Sequence, residues 1–321
     1  MIGIFVMSDL GRVLVLAGGL SHERDVSLRS GRRVADALRS VGVEVEQRDV
    51  DASLVDRLRE DPPDAVFPVL HGVTGEDGAL RQVLDLYGVP YVGADAAACR
   101  TAFDKPVAST VVGNAGLHTP ASVVLGHDTF RELGAAALME AVVSQIGLPL
   151  VVKPARGGSA LGASIVRSAD ELPAAMVNSY SYGPVALIEQ YVDGTEVAVT
   201  VVDTGDGPRA LPAVEIRPDS GFYDYEARYT AGATQFVVPA RLEPEAAGAC
   251  AAAAVQAHQA LGLRDLSRTD LVVDAAGVPW FLEVNVAPGM TETSLVPLAA
   301  EAAGIELGVL CRDLLATAAA R

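Results

Sequence analysis

The sequence predicts an α/β first third built on a parallel sheet, a small α+β unit in the middle and an antiparallel α+β unit at the end. Three observations carry this. Short apolar runs alternate with helical apolar stripes in the first third. A glycine-rich loop separates two apolar runs in the middle. Paired runs flank Gly- and Asp-containing turns in the last third. The chain has 321 residues, 50% of them hydrophobic, enough to bury a sizeable core. At roughly 100–200 residues per domain, about two units are expected, or three small ones. We place their boundaries at 1–104, 105–193 and 194–321.

Residues 13–17 form an apolar run that ends in Gly18-Gly19, the pattern of a buried strand. A helix is expected to begin near Ser27, with Val34, Leu38 and Val41 on one stripe. Residues 65–70 read as a second strand. After Gly78, Leu80, Val83, Leu84 and Tyr87 recur at i, i+3, i+4 and i+7, so a helix follows. Residues 91–93 read as a third strand. Strands alternating with helices imply a parallel sheet covered on both faces, with ligands bound at its carboxyl edge. Residues 18–24 and 71–78 are two loops at that edge.

In the middle, residues 148–154 and 163–167 are strands around the glycine-rich loop, and 186–191 is another. In the last third, 195–202 and 210–216 flank Gly205-Asp206-Gly207, which predicts a hairpin. Residues 219–235 form a long polar loop, and such loops are usually functional. Residues 243–261 are an Ala-rich helix. Residues 270–274 and 278–285 are strands around Ala275-Ala276-Gly277.

Charge narrows the function. Lys+Arg total 24 against 41 Asp+Glu, a net charge of −17, and no basic patch offsets it. That field repels a polyanion, so no nucleic-acid partner is expected. No run reaches the ~20 apolar residues of a membrane helix. The opening seven residues lack the basic start of a signal peptide. Cys99, Cys250 and Cys311 form no CxxC pair and read as reduced, buried thiols. A cytoplasmic protein acting on small molecules is the expectation.

The sharpest cluster is Arg268, Asp270, Glu283 and Asn285. Residues i and i+2 of a strand share a face, so Glu283 and Asn285 point the same way. A turn near Ala276 places Asp270 roughly across from Glu283. Two carboxylates and an amide oxygen form an all-oxygen set that suits Mg²⁺. A hairpin with solvated acids would carry the same residues. Lys153 interrupts an apolar strand, where a lysine is costly without an anion. Gly157, Gly158, Ser159 and Gly162 follow, and such glycines let backbone N–H groups approach phosphate. A plain hairpin with a snorkelling lysine also fits. Glu189 and Glu196 suit ribose or an adenine amino group, or a solvated surface. Glu23 lies near a helix start, where the helix dipole favours an acid. His71 ends a strand at the ligand edge. G-x-G-x-x-G is absent from Gly18-Gly19-Leu20-Ser21-His22-Glu23, which argues against a nicotinamide enzyme.

Ordered along nearly the whole chain, these segments resemble the D-alanine–D-alanine ligases of the ATP-grasp superfamily. The matching stretches are 18–27, His71-Gly72 with Gly75-Glu76-Asp77-Gly78, Asp104-Lys105, Val152-Lys153-Pro154 and Gly158-Ser159. Further on they are 222–227 with Tyr229, Glu283-Val284-Asn285, Pro288-Gly289-Met290-Thr291 and Ser294-Leu295-Val296-Pro297. The resemblance implies an ATP-grasp fold: a Rossmann-like first domain, a central lid and a C-terminal antiparallel subdomain. It implies that ATP phosphorylates one D-alanine and that the amine of a second attacks the acyl phosphate, supplying peptidoglycan precursor.

By the same resemblance, Asp270, Glu283 and Asn285 hold two Mg²⁺ ions, with Mn²⁺ as an alternative. Lys105, Lys153, Gly158, Ser159, Tyr223 and Arg228 serve the nucleotide, with Glu189, Tyr191, Val192 and Glu196 around its base and ribose. Glu23, Val26 and His71 take the first D-alanine. Arg268 steadies the oxyanion, and Gly289, Ser294 and Leu295 hold the second D-alanine. Glu23, Ser159 and Tyr229 lock a mobile loop, and a homodimer forms through the first domain. The sequence departs from the family pattern at four positions: Arg228 replaces a lysine, Ala160 a serine, and Val286-Ala287 a more polar pair. A paralogous amino-acid ligase and a nucleotide-binding regulator are the rival readings.

Overall fold

The computed structural model describes residues 10–230 and 232–321, apart from the side chains of Glu226 and Tyr229. Its first unit runs β1 (Arg12–Ala17), α1 (Arg24–Ser40), β2 (Glu44–Asp49), α2 (Leu54–Glu60), β3 (Ala65–Pro68), α3 (Val73–Glu76), α4 (Ala79–Leu86) and α5 (Ala96–Phe103). The three strands form a parallel sheet in the order β2-β1-β3. β1 and β3 are buried along nearly their whole length, hence their unbroken apolar runs. β2 has the polar sequence EVEQRD and gives no apolar signal, because it is a half-exposed edge strand. The strand expected at 91–93 contributes a single parallel bridge, Tyr91 to Val66. Helix α1 lies close on β1 because Gly31 has no side chain: a Cβ there would sit 2.5 Å from that of Ala17.

The chain then runs α6 (Lys105–Asn114), whose Ala108 and Val112 pack in the core of the last sheet, and a second unit of β4 (Ser122–Gly126), α7 (His127–Leu133), α8 (Ala135–Ile146), β5 (Leu150–Pro154), β6 (Ser164–Val166), α9 (Leu172–Tyr180) and β7 (Val185–Gln190). Its antiparallel sheet has the order β4-β7-β5-β6. Leu150, Val152, Val166, Leu172, Met176 and Ile188 pack one face of it. The glycine-rich loop joins β5 to β6, as the sequence predicts.

The third unit runs β8 (Thr195–Val202), β9 (Arg209–Ala210), β10 (Val214–Pro218), α10 (Tyr225–Tyr229), β11 (Thr234–Val237), α11 (Pro244–Ala260), β12 (Leu266–Val273), β13 (Pro279–Asn285), α12 (Leu295–Ala302) and α13 (Leu307–Ala319). Its sheet has the order β11-β10-β8-β12-β13, with β9 beside β8. The predicted hairpin after β8 is split into β9 and β10, and Pro212 lies between them, without an N–H for the ladder. The segment expected as one long polar loop folds a five-residue helix, α10, and begins β11. The chain ends back on the first unit. Gly308 of α13 lets that helix touch α1, since a Cβ there would collide with the Ala37 carbonyl. Val13, Val15 and Phe67 of the first sheet therefore share one core with Leu266, Met290 and Leu310.

Candidate active site

The β12–β13 hairpin sets the centre of the site. Asp274 organises its turn, accepting the N–H groups of Ala276 and Val278 at 2.9 Å and the Trp280 Nε1–H at 2.9 Å. From the turn, Val273 faces Pro279, Val272 faces Trp280 and Leu271 faces Phe281. The register then shifts, and Asp270 faces Glu283 with Leu282 as the extra residue. This bulge matters because a shift of one residue swaps strand faces. Without it, Leu282 would stand opposite Asp270. With it, Arg268, Asp270, Glu283 and Asn285 share one face, while Leu271, Val273, Phe281 and Val284 fill the core on the other.

Arg268 and Asp270 form a buried bidentate pair, Nε to Oδ1 at 2.7 Å and Nη2 to Oδ2 at 2.8 Å. Burial opposes the Arg268 charge, but Asp270 outweighs it and raises the guanidinium pKa. Burial likewise opposes the charge on Glu283. Lys105, Arg228, Lys153 and Arg268 together override it and hold this carboxyl below its usual range. Lys105 Nζ lies 3.4 Å from Glu283 and donates to the Gly157 carbonyl at 2.6 Å, tying the start of α6 to the glycine loop. Among the described residues no three His, Cys, Asp or Glu side chains form a ready cage. The donor set still fits a hard cation: two carboxylates and an amide oxygen on one strand-pair face, ringed by cations that would also meet phosphate.

A cleft of about 420 Å³ opens between the middle sheet and this hairpin, within the range of small-molecule sites. Lys105, Lys153, Gly158, Tyr223, Arg228, Asp270 and Glu283 line it, as do Glu189, Tyr191, Val192 and Glu196. Lys153 Nζ pairs with Glu189 at 2.7 Å. Burial disfavours the ammonium, yet Glu189 and Glu283 raise its pKa. Glu196 is pushed up to about 7 by burial, partly offset by Arg228. The Arg228 guanidinium stacks 4.2 Å from the Tyr223 ring centre and donates to the Tyr223 carbonyl at 3.3 Å. Such stacking suits the planar arginine that stands here.

A second cluster lies where α1 meets the glycine loop. Ser159 donates to the Glu23 carboxylate. Ser159 and Ala160 both adopt left-handed φ values, 53° and 55°, a conformation that strains non-glycine residues. His71 is buried nearby, and Val26 lies half-buried in the first turn of α1. Ser294 precedes α12, and its Oγ accepts the Thr291 N–H at 2.9 Å. Gly289 approaches this hydroxyl so closely that a Cβ would lie 2.7 Å from it. Leu295 buries its side chain in the core, leaving its first-turn N–H as its polar group. The side chain of Tyr229 lies outside the described residues.

Several site-facing groups gave no independent signal. Glu76 is buried, accepts the Gly72 N–H at 2.8 Å, and is pushed up to about 8 by burial and then by Glu23. Glu215 lines the cleft and accepts the Arg241 N–H at 3.0 Å. An acid inside a strand or a short loop reads as solvated until packing covers it.

Comparison with known proteins agrees along the chain. Residues 111–316 match the family described as D-ala D-ala ligase C-terminus, and residues 44–94 match D-ala D-ala ligase N-terminus. A D-alanine–D-alanine ligase of Nitrosospira multiformis is 39% identical over 310 residues, covering 97% of each chain. A D-alanine–D-alanine ligase of Bacillus anthracis complexed with ATP superposes with a TM-score of 0.79 at 29% identity, covering 96% of each chain. A D-Ala:D-Ser ligase of Enterococcus faecalis gives a TM-score of 0.81 at 28% identity, covering 96% of this chain and 99% of that one. With both family models matched in order and a relative 39% identical over 97% of the chain, the chain belongs to the D-alanine–D-alanine ligase family.

Proposed function

We propose that the protein is an ATP-dependent D-alanine–D-alanine ligase that makes D-alanyl-D-alanine for peptidoglycan precursor synthesis. The observation that carries this is the Ser159–Glu23 bond. It brings the glycine loop of the nucleotide cleft onto the first-substrate end of α1, so a phosphate donor and a carboxylate acceptor would meet under one loop.

In this reading the γ-phosphoryl group of ATP passes to the carboxylate of a first D-alanine. The amine of a second then attacks the acyl carbon and phosphate leaves. Lys105, Lys153 and Arg228 balance the phosphate charge, and Glu189, Tyr191, Val192 and Glu196 receive the nucleoside. Asp270, Glu283 and Asn285 would hold Mg²⁺, which when bound neutralises charge developing on the phosphates. Arg268, fixed by Asp270, donates to the tetrahedral oxyanion. Glu23 takes the first ammonium, and Gly289, Ser294 and Leu295 take the second substrate. The closed loop keeps water from the acyl phosphate.

Segments 1–104, 105–193 and 194–321 act as substrate, lid and metal-bearing units. No described helix is long and apolar enough to cross a membrane, and a cytoplasmic homodimer goes with this reading; sedimentation checks the dimer.

The test is ADP release with ATP and Mg²⁺ against D-alanine, D-serine, D-lactate and L-alanine. Release with D-alanine alone, matched by dipeptide, supports the reading. Release only when another acceptor is present reassigns the second substrate, and no release with any of them removes the ligase assignment.

A further inference from the structure

Helix α1 turns two fully buried serines inward. Ser27 Oγ accepts the Gly18 N–H at 2.8 Å and donates to the Val69 carbonyl at 2.8 Å, so it joins two loops of the first sheet. One turn later, Ser30 Oγ accepts the Met290 N–H at 3.1 Å and lies 3.1 Å from His71 Nε2. His71 Nδ1 lies 2.9 Å from the Ala287 carbonyl. A carbonyl can only accept, so Nδ1 carries the proton. Burial lowers the His71 pKa against the pull of Glu23, so the ring is neutral and Nε2 accepts the Ser30 hydroxyl. The Ser30 hydroxyl and both His71 ring nitrogens are therefore engaged within the protein. Ala287 and Met290, at the two ends of this run of bonds, bracket Pro288 and Gly289. Beyond them, Ser294 holds Thr291.

We propose that Ser30 is a positioning residue for the acceptor half of the reaction. Its hydroxyl holds the Met290 amide directly and the Ala287 carbonyl through His71, and so it fixes the Gly289 segment against the first-substrate loop. The proposal rests on the ligase reading for its kinetic consequence but not for the clamp itself. Attack by the second amine needs close alignment, and misplacement of about 1 Å costs about 10² in rate. In the ligase reading the Gly289 segment holds the second D-alanine, so the first step, phosphoryl transfer, should depend on it less.

Ser30→Ala is compared with Ser27→Ala. Both remove a hydroxyl from the same buried helix face, so general loosening of α1 affects both. Acyl phosphate from the first step is trapped with hydroxylamine, and the KM for the second D-alanine is measured separately. Ser30→Ala is expected to raise that KM about tenfold, through the unpaired Met290 N–H, while trapping changes less than about threefold. Ser27→Ala is expected to lack this split. Equal losses in both steps, the same split in Ser27→Ala, or wild-type behaviour of Ser30→Ala would overturn the assignment. Ser30→Cys, nearly isosteric with a weak donor, is expected to give the same split if the alanine variant does not fold; without the split in Ser30→Cys the proposal fails. Amide exchange at Met290 reads the clamp without catalysis: faster exchange in Ser30→Ala than in Ser27→Ala supports it, and equal exchange removes it. If the wild-type protein releases no ADP with D-alanine, the ligase reading falls and this exchange comparison still decides the clamp.

Discussion

Ser159 and Glu23, 136 residues apart in sequence, share a hydrogen bond that joins the glycine loop to the start of α1. The serine holds a left-handed φ of 53° to make it. That hydroxyl fastens the strained loop to α1, while Lys105 holds the same loop to the start of α6 through the Gly157 carbonyl. Ser159→Ala is expected to admit water to the acyl phosphate. The ratio of ADP to dipeptide would then rise above one, and a ratio unchanged from wild type would show that the bond does not seal the site.

Glu283 stands opposite Asp270, with Lys105 at 3.4 Å. Glu283→Gln keeps the shape and removes the charge that the surrounding cations and a bound metal would share. Turnover is expected to fall by about 10²–10³ at saturating Mg²⁺, the scale of losing one transition-state stabilising group. Circular dichroism checks that the fold survives. Near-normal turnover would refute the metal assignment.

Lys153 and Glu189 pair at 2.7 Å with side chains 12% and 4% exposed. Breaking a buried pair strands one charge and costs about 3–5 kcal/mol. Lys153→Met alone is expected to lower stability on that scale in urea melts. Adding Glu189→Leu should recover most of the loss, because no charge is then buried alone. An additive double variant would mean that the two groups do not interact.

Glu76 has its carboxyl pushed up to about 8 by burial, against an ordinary value of 4.5. The folded state therefore binds a proton that the unfolded state releases. Stability from this group is full below about pH 4.5 and is lost as pH rises toward 8. Glu76→Gln retains an acceptor for the Gly72 N–H and cannot ionise. In the ligand-free protein its melting temperature should exceed that of the wild type increasingly from pH 5 to pH 8. A constant difference across that range would place the Glu76 carboxyl in contact with water.

Much of the fold is legible because burial on both faces leaves unbroken apolar runs. β1 and β3 read directly for that reason, and so does the glycine loop between β5 and β6. The edge strand β2 does not, because half of it faces solvent and its residues are polar. The helix α10 is hidden inside a polar segment whose short turn depends on Asp224 accepting the Ala227 N–H. Glu76 is silent because its burial comes from elements distant in the chain.

By itself the sequence determined the buried strands β1, β3, β5 and β7, the Ala-rich helix α11, the turn at Asp274 and the chemical inventory of the site: which acids, lysines and glycines are present and in what sequence. The tertiary structure decided which of them meet. Side-chain period in a strand is two, so only the one-residue bulge at Leu282 puts Glu283 on the face of Asp270. Only packing of α1 against the far end of the chain brings Ser30 to Met290, because a contact across 260 residues leaves no periodic trace.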